Sequence, residues 1–216
     1  MAKSMTRKEE LQLLKKLNPR VGFDGFLYYD ICRGACAQVK KLKSEVVKVH
    51  ALIRKGGQLC RLGKGMRLLD EIKKQESITI AFAAMCLEAC IWDYAASKTS
   101  KNKAEQNFGS LNLVAKWVVI PQLFCGSDIT KKRIDDTCLL DRLRKLVKER
   151  NNLMHSKSTA LPDKLSDAKK AMIPKPRQIT AKEAFSIIRP LLEELKKVDK
   201  AQWWLFKDFR YQRIIS

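Results

Sequence analysis

Arg150, Asn151 and His155 are the residues of this sequence whose types and spacing are best suited to chemistry. His155 is one of only 2 histidines, and an imidazole can transfer a proton near neutral pH without a metal ion. The Arg150 guanidinium can bind a phosphate with paired donors, and the Asn151 amide can orient either group or the substrate. Together they predict a site that cleaves a phosphodiester next to its own nucleophile, which RNA supplies as the 2′-hydroxyl.

Each of these residues also has a purely structural interpretation. Arg150 could pair with the C-terminus of its helix and cover apolar surface with its stem. Asn151 could help to end the helix, because asparagine tolerates the left-handed conformation, and His155 could cap the last carbonyl groups. The other histidine, His50, lies in a basic helical segment and is interpreted as a surface or hydrogen-bonded residue.

The element that must position the three residues is an amphipathic helix, predicted from about Asp135 to His155. Apolar residues recur along it at helical spacing: Leu139, Leu140, Leu143, Leu146, Val147, Leu153 and Met154. Asn151 and His155 are four residues apart and share one face, with Arg150 at the edge of that face. We therefore expect the polar trio to face a cleft, a partner or solvent.

The chain is strongly basic, with 44 Lys and Arg against 23 Asp and Glu and a formal net charge of +21. Such a surface attracts the phosphate backbone of nucleic acid, and it could also attract anionic membranes or acidic proteins. One basic cluster covers residues 33–74, and a second lies on or beside the motif helix. From the second cluster we expect Arg144, Lys145, Lys148 and Lys157 to contact nucleic acid.

The rest of the pattern predicts an all-α fold in a single domain, residues 1–216. In chain order, it predicts a short helix at 5–16, a packed turn at 22–29, helices at 31–53 and 66–97 with a turn at 63–65, and short helices near 103–108 and 111–124. The apolar segment 78–92 is the expected centre of the core. Residues 156–179 are the clearest loop, and Thr180-Ala181-Lys182-Glu183 is a capping box that starts a last long helix.

Cysteine usage and hydropathy exclude several classes of protein. The 7 cysteines include no Cys-x2-Cys pair, so neither a metal site nor another cofactor is predicted. Two pairs, Cys32/Cys36 and Cys86/Cys90, are four residues apart on predicted helices and are interpreted as small buried residues. No stretch reaches 18 uninterrupted apolar residues, and residues 1–20 lack the apolar centre of a signal peptide. We therefore expect a cytoplasmic protein that does not span a membrane. Aromatic residues at 203–211 predict a packing or dimer contact, with base stacking as the alternative.

Three segments of the chain resemble the HEPN superfamily. Arg150-Asn151 followed by His155 near the end of a bundle helix resembles the HEPN motif. Residues 88–94 resemble the acidic and aromatic segment on an earlier helix of bacterial HEPN-like proteins. Residues 116–121, followed by Gly126, resemble the connector that precedes their motif helix. The likeness covers roughly residues 75–160.

This resemblance implies a HEPN-like helical bundle at about 71–216, with a basic helical region at 1–70 and an additional C-terminal helix. It also implies a homodimer. Active family members are metal-independent ribonucleases with the motif at the dimer interface, and many are toxins or defence effectors. On this basis Arg150, Asn151 and His155 are the expected catalytic residues, supported by Glu88, for which Arg150 is a candidate partner.

Other HEPN proteins have no demonstrated cleavage and act as binding modules, so two alternatives to a ribonuclease stay open. One is a non-catalytic module that binds nucleic acid or a protein partner, and the other is a basic helical adaptor without a nucleic-acid role. An antitoxin or effector partner is possible in either HEPN case. HEPN toxins that are paired with nucleotidyltransferase antitoxins often carry a modifiable Tyr two residues after the His. Here that position is Lys157, so regulation by this route is not expected.

Overall fold

A computed structural model describes residues 24–54, 59–131, 133–134, 137–154 and 177–199. In these ranges the protein is all-α apart from one hairpin of two-residue strands, so the predicted fold class is confirmed. The elements are α1 (Asp24–Arg54), α2 (Leu59–Lys98), α3 (Lys101–Phe108), α4 (Leu113–Cys125), a 3-10 turn (Ile129–Lys131), β1 (Arg133–Ile134), β2 (Thr137–Cys138), α5 (Leu139–Met154), α6 (Ala181–Ser186) and α7 (Ile188–Val198).

The two long helices α1 and α2 pack against each other as an antiparallel hairpin. At one end Gly25 lies against Cys90, where an added Cβ would come within 3.1 Å of the Cys90 sulfur. At the other end Val49 packs against Gly65. A glycine at position 25 therefore allows the backbones of the two helices to approach closely.

The C-terminal half of α2 forms the centre of the core. Its largest fully buried side chains include Ile80, Leu87, Ile91 and Tyr94. The other helices cover it with buried residues of their own, among them Trp117 of α4, Leu143 and Leu146 of α5, and Leu191 and Leu192 of α7. A helix that is apolar around much of its circumference must be covered on all sides, and this confirms residues 78–92 as the core segment.

Among the described residues, α2 is also the one helix long and apolar enough to cross a membrane. The stretch Gly63–Lys98 is long enough to span a membrane, and its most apolar window has a mean hydropathy of 1.5, with 56% of that window buried inside the fold. The bent pair α3 and α4 is long and apolar enough only when both helices are taken together. The core position of α2 accounts for its apolar composition.

Two predicted turns are helical in the structure. Residues 22–29 were expected as a turn, but α1 begins at Asp24 because its aromatic side chains pack on the core. Tyr28 lies beside Phe82, with ring centroids 5.8 Å apart. Residues 63–65 lie inside α2, where the glycines are tolerated and Gly65 faces Val49.

Two helix boundaries also differ from prediction. The motif helix begins at Leu139, because the residues before it form the antiparallel β1–β2 pair. The last long helix starts with the expected capping box of Thr180 and Glu183, and then divides at Ile187 into α6 and α7. Pro190, in the first turn of α7, has no N–H for the Ser186 carbonyl, which explains the division. The predictions for 5–16 and 203–211, and most of the 156–179 loop, lie outside the described residues.

Replacing Leu143 with alanine tests the core. Leu143 is fully buried in α5, so Leu143→Ala should lower the free energy of unfolding by about 2–5 kcal/mol. Leu123→Ala removes the same atoms from a side chain that is 62% exposed, and the change there should stay within about 0.5 kcal/mol. Urea unfolding followed by circular dichroism measures both. Equal effects of the two substitutions would contradict the assigned core.

The capping box predicts a pH dependence of stability. Hydrogen bonds from the Thr180 backbone N–H and hydroxyl lower the pKa of Glu183. A carboxylate with a lowered pKa in the folded state stabilises the protein above its unfolded-state pKa and loses this contribution as pH falls through the folded-state pKa. The stability difference between wild type and Glu183→Gln should thus be largest near neutral pH and shrink in acid. A difference that is independent of pH between 7 and 3 would refute this assignment.

Candidate functional site

The buried stripe of α5 determines where Arg150 points. Leu139, Leu143 and Leu146 are fully buried, and Arg150 continues their spacing four residues after Leu146. Arg150 therefore lies on the core side of the helix, about 100° around the helix axis from the exposed Asn151. Its side chain is half-buried. Its Nε is enclosed and has no hydrogen-bond partner among the described residues.

The opposite face of α5 is exposed and basic. Arg144, Lys148 and Asn151 follow one another at spacings of four and three residues, and all three are exposed. Arg144 is near Asp141, at 3.4 Å, whereas Lys145 and Lys148 form no ion pair within the described part of the chain. The helix thus carries three exposed cationic side chains, Arg144, Lys145 and Lys148, on faces other than that of the half-buried Arg150 guanidinium.

Glu149 is a buried residue of this helix that the sequence analysis did not single out. It is only 6% exposed, and its Oε2 accepts a hydrogen bond of 3.3 Å from the backbone N–H of Gln178. The neighbouring Arg177 donates to Ser77 and to the Lys73 carbonyl of α2. The chain is therefore fixed to α5 and α2 just before it enters α6. In the sequence, the signal for a buried Glu149 was the position of this acidic residue three residues after the apolar Leu146.

The expected pairing of Glu88 with Arg150 is wrong. Glu88 Oε1 accepts a hydrogen bond of 2.9 Å from the ammonium of Lys116, which joins α2 to α4. Lys116 is 6% exposed, and its ammonium also lies over the Trp92 ring, 5.4 Å from the centroid. A buried ammonium needs a nearby anion, and Glu88 supplies it.

Glu88 also lines a cleft of about 400 Å³ between α1, α2, α3 and α4. The described residues around it are Asp24, Tyr28, Met85, Glu88, Ala89, Trp92, Asp93, Glu105, Gly109 and Lys116. Neither Arg150 nor Asn151 is among them. The residues predicted to act together are thus separated in the structure. Arg150 and Asn151 lie on α5, whereas Glu88 lies at the cleft.

The remaining histidines and basic residues considered in the sequence are either exposed on helices or outside the described part of the chain. His155 and Lys157 lie outside the described residues. His50 is exposed on α1, as expected. Arg144, Lys145 and Lys148 are exposed on α5, the position that contact with a nucleic-acid backbone requires.

The prediction of buried small side chains is confirmed for Cys32, Cys86 and Cys90, whereas Cys36 is only half-buried. Burial raises the pKa of the Cys32 thiol, and hydrogen bonding with Cys90 together with burial raises the pKa of Cys86. Neutral buried thiols are poor nucleophiles. The described residues contain no group of three His, Cys, Asp or Glu side chains placed to hold a metal ion.

Comparison of the chain with protein-family models, with curated proteins and with solved structures gives no match.

The Glu88–Lys116 pair can be tested by removing one partner at a time. Glu88→Gln leaves a buried ammonium without its anion, and should lower the free energy of unfolding by about 1–3 kcal/mol. The lower end of that range is expected because the Glu88 side chain is 40% exposed. Lys116→Met in the same chain should restore most of the loss, which a double-mutant cycle in urea measures. Additive effects of the two substitutions would show that the pair contributes no coupling energy.

Proposed function

We propose that this protein is a metal-independent endoribonuclease of the HEPN type. Arg150 binds the scissile phosphate, His155 transfers the proton, and Asn151 orients the reacting groups. The observation that supports this most is the half-buried guanidinium of Arg150, whose enclosed Nε has no partner among the described residues. A half-buried guanidinium that forms no ion pair with a described acidic residue suits an incoming phosphate.

The proposed reaction is an internal transfer at phosphorus. The 2′-oxygen of RNA forms a bond to the phosphorus while the bond to the 5′-oxygen breaks, giving a 2′,3′-cyclic phosphate and a 5′-hydroxyl. One proton leaves the 2′-hydroxyl and one reaches the 5′-oxygen, so no water is consumed. An imidazole suits this exchange because it binds and releases protons near neutral pH. The guanidinium stabilises the extra negative charge that develops on the phosphate oxygens.

The distal part of the α1–α2 hairpin supplies a second basic surface for RNA. We call residues 40–54 and 63–74 the basic arm. Its exposed cations without an ion pair among the described residues are Lys40, Lys41, Lys48, Lys64 and Arg67. Unpaired surface cations are the groups that displace counterions from a phosphate backbone. Because residues 40–54 of α1 alone extend over about 22 Å, the arm can follow several phosphates.

A second candidate is RNA binding without cleavage. It is favoured by the basic arm, which needs no contribution from Arg150, and by the assignment of Glu88 to Lys116, which leaves Arg150 without the carboxylate expected to orient it. In either case a homodimer is expected from the HEPN resemblance, and it would bring two motif helices together. The role of a toxin or defence effector, with an antitoxin partner in the cytoplasm, belongs to the same proposal.

Cleavage of labelled total RNA in the presence of EDTA tests the ribonuclease. Wild type should produce cyclic-phosphate ends, and His155→Ala should slow cleavage by about 100-fold or more, the usual contribution of a general acid or base. Arg150→Lys keeps the charge but loses the paired donors, and should slow cleavage by about tenfold or more. His50→Ala is the matched control, because it removes the only other histidine.

The outcomes separate the two candidates. The ribonuclease is supported if wild type and His50→Ala cleave RNA while His155→Ala cleaves it slowly but still binds it. Equal cleavage by all variants would mean that the assigned residues do not catalyse it, and binding without any cleavage would favour the second candidate.

The basic surfaces predict a strong dependence of RNA affinity on salt. Lys145→Gln with Lys148→Gln should weaken binding of unrelated RNA sequences alike. It should also reduce the slope of log affinity against log salt by about 1–2, since each lost phosphate contact removes nearly one released counterion. Lys196→Gln, an exposed lysine of α7, is the control. Fluorescence anisotropy at several salt concentrations measures the slopes, and an unchanged slope in the α5 variant would exclude this face from the RNA contact.

A further inference from the structure

The cleft beside Glu88 differs in charge from the rest of the molecule. The described residues that line it include the carboxylates of Asp24, Glu88, Asp93 and Glu105 and a single ammonium, that of Lys116. The chain as a whole has a formal net charge of +21. A concave site with this local composition favours a cation in a protein that otherwise attracts anions.

The cleft already holds one ammonium in the manner that a cationic ligand would need. The Lys116 ammonium contacts the Glu88 carboxylate at 2.9 Å and lies over the Trp92 ring at 5.4 Å. A carboxylate together with the face of an aromatic ring is the usual environment of a bound organic cation. Tyr28 adds a second aromatic side chain to the lining, and Met85 adds an apolar one that is 39% exposed.

The carboxylates of Asp24 and Glu105 remain available to a ligand. Both are exposed at the cleft, and neither forms an ion pair within the described residues. A glycine is needed at position 109, beside Glu105. An added Cβ there would lie 2.6 Å from the carbonyl oxygen of Glu105 and 2.7 Å from the Oε1 of the same residue. The absence of a side chain at Gly109 thus leaves room for the Glu105 carboxylate at the edge of the cleft.

The dimensions limit the ligand to a small or narrow one. The volume of about 400 Å³ lies in the range of small-molecule sites, which bury a ligand among apolar and aromatic side chains and fix it with a few polar groups. A hydrated metal ion would make no use of the rings. An alkyl chain with ammonium groups uses both the rings and the separate carboxylates.

We propose that this cleft binds an alkylammonium ligand, a linear polyamine or the equivalent side chains of a lysine-rich peptide, with the Asp24 and Glu105 carboxylates on its ammonium groups and the Tyr28 and Trp92 rings against its methylene chain. The site is separate from the α5 residues assigned to RNA. Its failure would therefore leave the proposed ribonuclease untouched, and the reverse also holds.

Isothermal titration calorimetry of the full chain, freed of nucleic acid, with spermidine tests the proposal. Wild type should bind about one spermidine per chain. Asp24→Asn combined with Glu105→Gln should weaken the affinity about tenfold, because two partly exposed ionic contacts are lost. Asp70→Asn combined with Glu71→Gln is the matched control, since it removes one Asp and one Glu from the basic arm and changes the net charge equally.

A parallel titration with capped tri-lysine identifies the source of the ammonium groups. Tighter binding of the peptide than of spermidine assigns the cleft to lysine side chains of a partner, and the opposite order assigns it to a free polyamine; both support the site when the cleft variant alone weakens binding. The proposal is overturned if neither probe binds detectably, or if the cleft and control variants weaken binding equally. If the double variant does not fold by circular dichroism, Glu105→Gln alone provides the test.

Discussion

The structure depends on the need to cover the C-terminal half of α2. This segment is apolar around much of its circumference, so no single neighbour can bury it, and α1, α4, α5 and α7 each cover part of it. The polar group of Trp117 is satisfied within this arrangement, because its Nε1 donates to the Leu87 carbonyl at 3.1 Å. The position of α5, and with it of Arg150, follows from the burial of Leu143 and Leu146 against the same helix.

The sequence was informative where the signal was periodic and incomplete where a contact distant in the chain decided the outcome. The extent of the core segment, the end of α1 at Arg54 and the capping box at Thr180 could be predicted because helical spacing and capping chemistry are local. The glycines at 63 and 65 suggested a turn, but packing of α2 against α1 outweighs their low helix propensity. The pairing of Glu88 with Lys116 joins residues 28 apart, and only the packing of α4 on α2 reveals it.

Charge is distributed unevenly, and this separates two kinds of surface on one chain. Cations that form no ion pair within the described residues lie along the basic arm and on the exposed face of α5, where they form a surface suited to a polyanion. Acidic residues meet at the cleft between α1 and α4, where the chain's own Lys116 is the single cation among the described lining residues. The net charge of +21 reflects the basic surfaces and gives no indication of the acidic cleft.

The hydrogen bonds that hold α1, α2 and the segment before α6 together differ greatly in sequence separation. Cys32 and Thr79 of the hairpin are 47 residues apart, whereas Arg177 and Ser77 are 100 apart. Contacts between nearby segments form faster, because a shorter loop has to be closed. The hairpin should accordingly assemble first, with one side of α2 still uncovered. Leu191, Leu192 and Leu195 of α7 complete the core from the other end of the described chain. A nascent chain that has not yet emerged past α7 therefore leaves part of the apolar C-terminal half of α2 uncovered, and the docking of α7 protects this segment from aggregation during synthesis.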